Sequence, residues 1–268
     1  ITACDSVVWN GTTYTQSGTY SYSSSASNNY SMSFDGNNDY VELSDTISFG
    51  MNSFSVSIDC YLNAFDGSDP EPYSYIVGLP LTGPTNDHGF KIQTSSMTFN
   101  GGFEAHINDA GTSNFHVLTY QNVSQTTVVL NQWYNLTIVV NRVSNEFLFF
   151  VDGVLVDTET ISVNFGDVDL GVPIAIGVQS ANYTSLLDGY TDNLHIWNTA
   201  LTQSEIQNYM TCPPTGNESG LLGYWNFEEG LGSTVVLDQT VNGNDGTING
   251  ATYDSSVPVQ SCALTNVN

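Results

Sequence analysis

The segment from Leu187 to Asn208, L-D-G-Y-T-D-N-L-H-I-W-N-T-A-L-T-Q-S-E-I-Q-N, constrains the fold more than any other part of the chain. Its first half alternates as a strand does. Tyr190, Asp192, Leu194 and Ile196 fall on one face, and Thr191, Asn193, His195 and Trp197 on the other. After Asn198 comes Thr202-Gln203-Ser204-Glu205, a capping box in which a hydroxyl and a carboxylate three residues apart satisfy the free amides of a helix start. Pro213-Pro214 cannot continue that helix, so it is short.

The rest of the sequence has the same period of two. Phe54, Val56, Ile58 and Cys60 alternate with Ser55, Ser57, Asp59 and Tyr61. Trp133 to Asn141, Glu146 to Val151 and Val154 to Thr160 read as three successive strands, and Asp152-Gly153 between the last two is a type I′ turn pair. Further strands are expected at Ser31–Phe34, Tyr40–Leu43, Tyr73–Val77, Gly89–Gln93, Gly102–Asn108, Phe115–Tyr120, Thr126–Leu130 and Val172–Val178. Turn signals every ten residues or so argue for a sandwich. At the start, Val8-Trp9-Asn10-Gly11-Thr12-Thr13-Tyr14 carries an Asn-Gly hairpin signal, and Ser23 to Asn29 reads as a polar link.

The chain has 268 residues and a formal net charge of −25, because Lys91 and Arg142 are its only Lys and Arg residues. A phosphate backbone would be repelled, so nucleic acid is excluded as a partner. An anionic membrane surface is excluded for the same reason. No apolar run approaches the roughly 20 residues that span a bilayer, which argues against membrane insertion. No basic region followed by an apolar stretch opens the sequence, so it reads as a mature protein or an excised module. Unpaired carboxylates repel one another and weaken a compact state, which bound divalent cations or salt would relieve. Hydrophobic residues at 40% and aromatics at 12% suffice for a packed core.

Four cysteines, Cys4, Cys60, Cys212 and Cys262, make no C-x-x-C pair, which argues against a zinc site. Two disulfides in an exported protein are expected. Three connectivities are possible. Cys212 with Cys262 is favoured, since these flank one continuous C-terminal segment, and Cys4 with Cys60 follows.

The closing strand with its acidic residue, its aromatic-Asn pair and its capped helix resembles the last segment of the LamG-like, concanavalin A-like jelly roll. So do Phe34-Asp35-Gly36 with Asp39-Tyr40-Val41, and Gly223-Tyr224-Trp225-Asn226-Phe227 followed by Asn242-Gly243-Asn244-Asp245-Gly246-Thr247. In that family the G-Y-W segment commonly opens the domain, whereas here it follows the closing helix. The resemblance covers Tyr30 to Tyr253. It implies an all-β, two-sheet antiparallel jelly-roll sandwich with one short helix near residues 202–209. The organisation expected is a hairpin inter-module segment at 1–29 and a jelly roll at 30–268, completed by the C-terminal segment 220–253. A truncated second module starting at Leu221 is the other arrangement. The string from Trp9 to Tyr20 is similar to a short repeat between modules of large bacterial surface proteins.

The resemblance further implies a Ca²⁺ ion, a cation that takes six to eight oxygen ligands. Asp192 of the closing strand and Asp35, with the Gly36 carbonyl and Asp39, are the expected ligands, joined by Asn244 and Asp245 if the C-terminal segment packs there. Turn formation alone would also explain these Asp, Asn and Gly residues. A second acidic loop holds Asp66, Asp69 and Glu71, with Asp87 beyond it. For sugar binding, His106, Asn108, Asp109 and His116 are the candidates, while Trp133, Trp197 and Trp225 are read as core. A retaining glycosidase needs two carboxylates about 5 Å apart, and no E-x-D-x-E string occurs. Glu104 and His106 share a strand face near Tyr120, but a lyase acting on polyanions needs more Arg or Lys than this chain has. The expectation is therefore a non-enzymatic, calcium-stabilised, extracellular cell-surface module for adhesion or glycan binding, contacting neighbouring modules. A structural spacer or filament subunit is the rival.

Overall fold

The computed structural model describes residues 7–9, 12–14, 28–43, 47–64, 73–79, 89–94, 102–109, 115–120, 128–169, 171–178 and 185–262. β1 (Val7–Trp9) and β2 (Thr12–Tyr14) form an antiparallel hairpin. The remaining strands build two antiparallel sheets, the architecture of a jelly-roll sandwich.

Numbered in chain order, sheet one runs β12 (Val154–Thr160), β11 (Glu146–Val151), β10 (Trp133–Asn141), β5 (Phe54–Leu62), β14 (Asp188–Trp197), β3 (Ser31–Asp35) and β18 (Thr252–Asp254). A further strand, β15 (Leu221–Trp225), also pairs with β14. Sheet two runs β16 (Val235–Val236), β17 (Gly246–Asn249), β4 (Tyr40–Leu43), β13 (Ala175–Ile176), β6 (Tyr75–Gly78), β7 (Gly89–Thr94), β8 (Phe103–Asn108) and β9 (Phe115–Tyr120). The C-terminal quarter contributes to both sheets, since β15 pairs β14, β17 pairs β4 and β18 pairs β3.

Alternation sends one face of each sheet inward. Phe54, Val56, Ile58, Cys60 and Leu62 of β5 pack into one apolar core with Phe90 and Ile92 of β7 and with Phe103, Ala105 and Ile107 of β8. The Phe49 ring lies 4.4 Å from that of Phe54 and 5.7 Å from that of Phe90. Each such side chain contributes about 1.5–3 kcal/mol by leaving water. Helix α1 (Gln203–Thr211) is the only helix among the described residues, and Thr202 with Glu205 forms the expected capping box. Its Ile206 packs with Leu201, Trp197, Val139, Phe150 and Tyr224 against the outward face of sheet one. The Asp152-Gly153 turn has φ of 51° and 68°, as a type I′ pair requires.

Three expectations are corrected. Val128–Leu130 is not a strand, because the Tyr134 hydroxyl binds both the amide and the carbonyl of Val129 in place of a ladder. The strand expected over Val172–Val178 shrinks to β13, flanked by Pro173, which has no amide to donate, and by Gly177 at φ +86°. Cys60 is a free thiol buried in β5, not a bridged one; its side chain faces the core, and burial with the nearby Asp59 and Asp152 carboxylates pushes its pKa well above the usual value. Cys4 lies outside the described residues. Cys212, at the end of α1, is bonded to Cys262, and Ser261 donates to the Thr211 carbonyl beside that bridge.

Gly189 marks the closest approach within sheet one. A Cβ there would lie 2.0 Å from the Tyr61 carbonyl oxygen, so only glycine lets β14 lie flat on β5.

Candidate functional site

β14 is gripped on one edge by two strands that do not meet. β3 pairs with it as far as Thr191, and β15 takes over at Leu194. Between them, Asp192 and Asn193 form a bulge against β5, with Asn193 at φ +49°. Three further chain segments converge on this gap. Asn28 donates from Nδ2 to Asp192 Oδ2 at 2.9 Å and to the Pro258 carbonyl at 3.3 Å. Glu228 accepts from the Asn29 amide at 2.7 Å, from Asn29 Nδ2 at 2.9 Å and from the Tyr30 amide at 3.0 Å.

Asp192 is fully buried, and the Asn28 side chain and the Asn193 amide donate to its two oxygens. Burial first, then repulsion from Asp59 and Glu228, raises its pKa well above the ordinary carboxylate value. Asp59, its cross-strand neighbour, is pushed to about 7, mainly by burial, although Asn135 and Asn193 donate to its two oxygens at 2.8 and 3.0 Å. The network continues through Tyr224, whose hydroxyl donates to Asn193 Oδ1 at 3.2 Å, and through Thr137 and Ser57. Farther along β14, His195 accepts from Trp197 Nε1 at 2.7 Å, and burial lowers its pKa to about 3.

The structure does not bring Asp35 and Asp192 together. Asp35 pairs with Asp188, four residues away along β14, which at about 3.3 Å per residue is roughly 13 Å. Instead Asp35, Asp39 and Asp188 share one end of the sandwich. Asp39 accepts from the Asp35 amide at 3.1 Å, and Asp35 in turn accepts from the Asn37 amide at 2.9 Å. Asp39 also crowds Gly250, where a Cβ would lie 2.2 Å from its Oδ1. The Gly36 amide donates to the Leu187 carbonyl. Asn244 and Asp245 lie elsewhere: Asn244 donates to Asp238 and Leu222 and accepts from Trp225 Nε1, and Asp245 accepts from the Asp238 amide. Both thus act as turn residues bracing β15. Among the described residues, no three His, Cys, Asp or Glu side chains converge as a metal site. Asp66, Asp69, Glu71 and Asp87 lie outside the described residues.

The four residues expected to bind sugar divide into two pairs. His106 and Asn108 share the outward face of sheet two with Glu104, Lys91 and Gln93, across the β7–β8 register. Glu104 Oε2 lies 3.1 Å from His106 Nε2 and accepts from Gln93 Nε2 at 3.2 Å. The amide oxygens of Gln93 and Asn108 are buried and accept no hydrogen bond. Phe115, directly opposite Asn108, is 48% exposed, with its ring centroid 5.4 Å from that of His106. This exposed ring on an edge strand was not singled out from the sequence, because one Phe at a strand start carries no signal of its facing.

Asp109 and His116 do not join them. Asp109 is buried and accepts from the Gly166 amide at 2.8 Å, while Arg142 donates to the Phe165 and Gly166 carbonyls. His116 Nδ1 lies 3.1 Å from Glu159 Oε2, and the Thr119 amide donates to Asp157. These contacts close the open side of the sandwich, where β9 meets β12. Trp133 is not core: it is half-buried on the outward face of sheet one, beside Tyr61 and Tyr190. Trp197 and Trp225 are buried, as expected.

Solved structures share this architecture. A putative carbohydrate binding protein from Bacteroides ovatus superposes with a TM-score of 0.64 at 15% identity, over 88% of this chain and 62% of that one. A heptameric SAP-like pentraxin from Limulus polyphemus gives 0.60 at 14% identity, over 85% and 96%. The binding domain of botulinum neurotoxin serotype G gives 0.51 at 14%, over 75% and 50%. At these identities the likeness is one of fold, and this chain spans less than two thirds of the Bacteroides protein. No curated protein matches the sequence. A family model described as the concanavalin A-like lectin/glucanases superfamily matches residues 35–207. That match covers more than half of the molecule, and the chain therefore belongs to the concanavalin A-like lectin/glucanases superfamily.

Proposed function

We propose that this chain is a non-enzymatic carbohydrate-binding module of an extracellular surface protein, with Ca²⁺ as a structural ion. The observation that carries the binding reading is the outward face of sheet two. There an exposed aromatic ring, Phe115, adjoins His106, whose Nε2 meets the Glu104 carboxylate at 3.1 Å. Pyranose rings present an apolar C–H face for stacking and hydroxyls for donation, and Phe115 and the Glu104 carboxylate offer the matching partners. Glu104 is the only carboxylate that β7, β8 and β9 supply, so these strands lack the carboxylate pair of a retaining hydrolase. The carbohydrate-binding description of the Bacteroides protein, though borne at 15% identity, agrees with this reading. The Cys212–Cys262 bridge suits an oxidising compartment. No helix among the described residues is long and apolar enough to cross a membrane.

For Ca²⁺, the residues around Asp192 fit better than the Asp35 turn. The Asn28 side-chain amide sits between Asp192 Oδ2 and the Pro258 carbonyl, holding with N–H groups two oxygens that a cation would bridge. Asp192 Oδ2, the Asn28 amide oxygen in its flipped orientation and the Pro258 carbonyl are hard ligands, with Glu228 adjacent and water completing the shell. The ion would supply the positive charge that the buried Asp192–Asp59 pair lacks.

Glycan-array and calorimetric titration of the whole chain, with and without Ca²⁺, test the reading. Binding should fall at least tenfold in Phe115→Ala and Glu104→Ala. Head-to-tail assembly without binding to any glycan would favour a spacer instead.

A further inference from the structure

The outward face of sheet one carries a second feature that the sheet-two site does not use. Tyr61, Trp133 and Tyr190 sit side by side on β5, β10 and β14, in register with one another. Their ring centroids form a near-regular triangle with sides of 5.3, 5.6 and 6.4 Å. All three are partly exposed. Helix α1 and its apolar cluster cover the same face lower down, over Trp197, Val139 and Phe150, and the aromatic row lies beyond their reach.

The surroundings restrict what can rest on the patch. Ser33 lies opposite Tyr190, and Thr252 opposite Ser33, so hydroxyls extend the row of rings across two more strands. Asn63 donates to Asp188 at 3.0 Å on one flank, and Asp254 lies close enough to Tyr190 to act on it electrostatically. Neither Lys91 nor Arg142 is available to this face. Lys91 is in sheet two, and Arg142 is committed to the carbonyls of Asn52, Phe165 and Gly166. An anionic sugar would meet only carboxylates here. The rings are tilted to one another by 40 to 72°, so a neutral pyranose would lay its C–H face on one electron-rich ring and donate its hydroxyls to Asp188, Asp254 and Asn63.

We propose that Tyr61, Trp133 and Tyr190 form a second carbohydrate-binding surface, which stacks the apolar face of a neutral pyranose chain. The module would then hold glycan on both of its outward faces. The proposal takes its class of ligand from the carbohydrate-binding reading, but its site is separate. Two independent weak contacts on one body raise the overall avidity for a long polymer far above that of either alone.

The test uses the full chain with cellohexaose, xylohexaose and mannohexaose as neutral probes, and polygalacturonate as the anionic one. In the wild type, N-bromosuccinimide oxidation of Trp133, read by peptide mass spectrometry, should be slowed at least fivefold by one of the neutral probes and not by polygalacturonate. Trp133→Ala should lose at least tenfold in affinity for that probe, whereas Trp133→Phe retains most of it and Phe115→Ala leaves Trp133 protection intact. Because the protection assay needs no variant, a misfolded Trp133→Ala does not stall the test. Unslowed Trp133 oxidation with every neutral probe overturns the proposal. So does protection by polygalacturonate alone. Affinity lost only in Phe115→Ala would uphold the sheet-two site while overturning this one, and the reverse pattern would do the opposite.

Discussion

Asp192 and Asp59 face each other across the β14–β5 pair, one residue before the bulge at Asn193, and both carboxylates are buried. Two acids so placed cannot both ionise without a counter-charge. If Ca²⁺ supplies it, saturating Ca²⁺ should raise the melting temperature and EDTA should lower it. At one hundred times the Kd, the ion adds about 2.7 kcal/mol, which for a chain of this size is roughly 5–10 °C. Asp192→Asn should abolish the response, while Asp35→Asn should leave it unchanged. A melting curve indifferent to both Ca²⁺ and EDTA removes the ion from this account.

His195 predicts the acid limb of the stability profile. Its folded pKa of about 3 lies below the ordinary 6.5, because burial excludes the charged ring. The unfolded chain therefore binds a proton between those values that the folded one does not. Stability contributed by the neutral ring is whole above pH 6.5 and drains away as the pH falls towards 3, by about 1.4 kcal/mol per unit. Urea unfolding of wild type and His195→Gln at pH 7 and 4.5 checks this. The difference between the two proteins should shrink at the lower pH.

Reducing Cys212–Cys262 should cost about 4 kcal/mol of stability, the entropy released by opening a loop whose ends are 50 residues apart. Mass spectrometry after alkylation without a reductant should leave this pair unmodified. Cys60 should react only after unfolding, since its thiol is buried.

Gly189→Ala should destabilise by about 3 kcal/mol or more, because its Cβ would lie 2.0 Å from the Tyr61 carbonyl. The loss should appear in chemical denaturation as a lower midpoint at an unchanged slope. A neutral effect would mean that β14 and β5 separate more easily than their register implies.

Much of the architecture was legible because alternation is a local signal. The strands at Phe54–Leu62, Trp133–Asn141, Glu146–Val151 and Val154–Thr160, the turn at Asp152-Gly153 and the cap at Thr202 all follow from residues within a few positions of one another. The candidate sites were less legible because they depend on register. Asp35 and Asp192 carry equal promise as sequence, yet the β3–β14 pairing sets Asp188, not Asp192, beside Asp35. Asn28 and Pro258, which meet at Asp192, are 230 positions apart. Trp133 reads as core by resemblance, since a Trp-Tyr pair at this place packs beneath the hairpin in such domains, but here the register sets Trp133 beside outward-facing Tyr61. Asp109 and His116 read as polar groups near a strand, and only the meeting of β9 with β12 shows that they fasten the edge of the sandwich.

The adjacency of residues 28 and 258 has a mechanical consequence. β3 begins at Ser31 where β18 ends at Asp254, so the two strands enter and leave the fold at one corner. Tension drawn through that corner would peel the strands apart one hydrogen bond at a time, the weakest way to load a sheet. From the N-terminal side the Asn28 grip on Asp192 and Pro258 meets such a pull, while from the C-terminal side the Cys212–Cys262 bridge takes the load first. A cation bridging the same oxygens would turn that corner from a zipper's open end into a rivet.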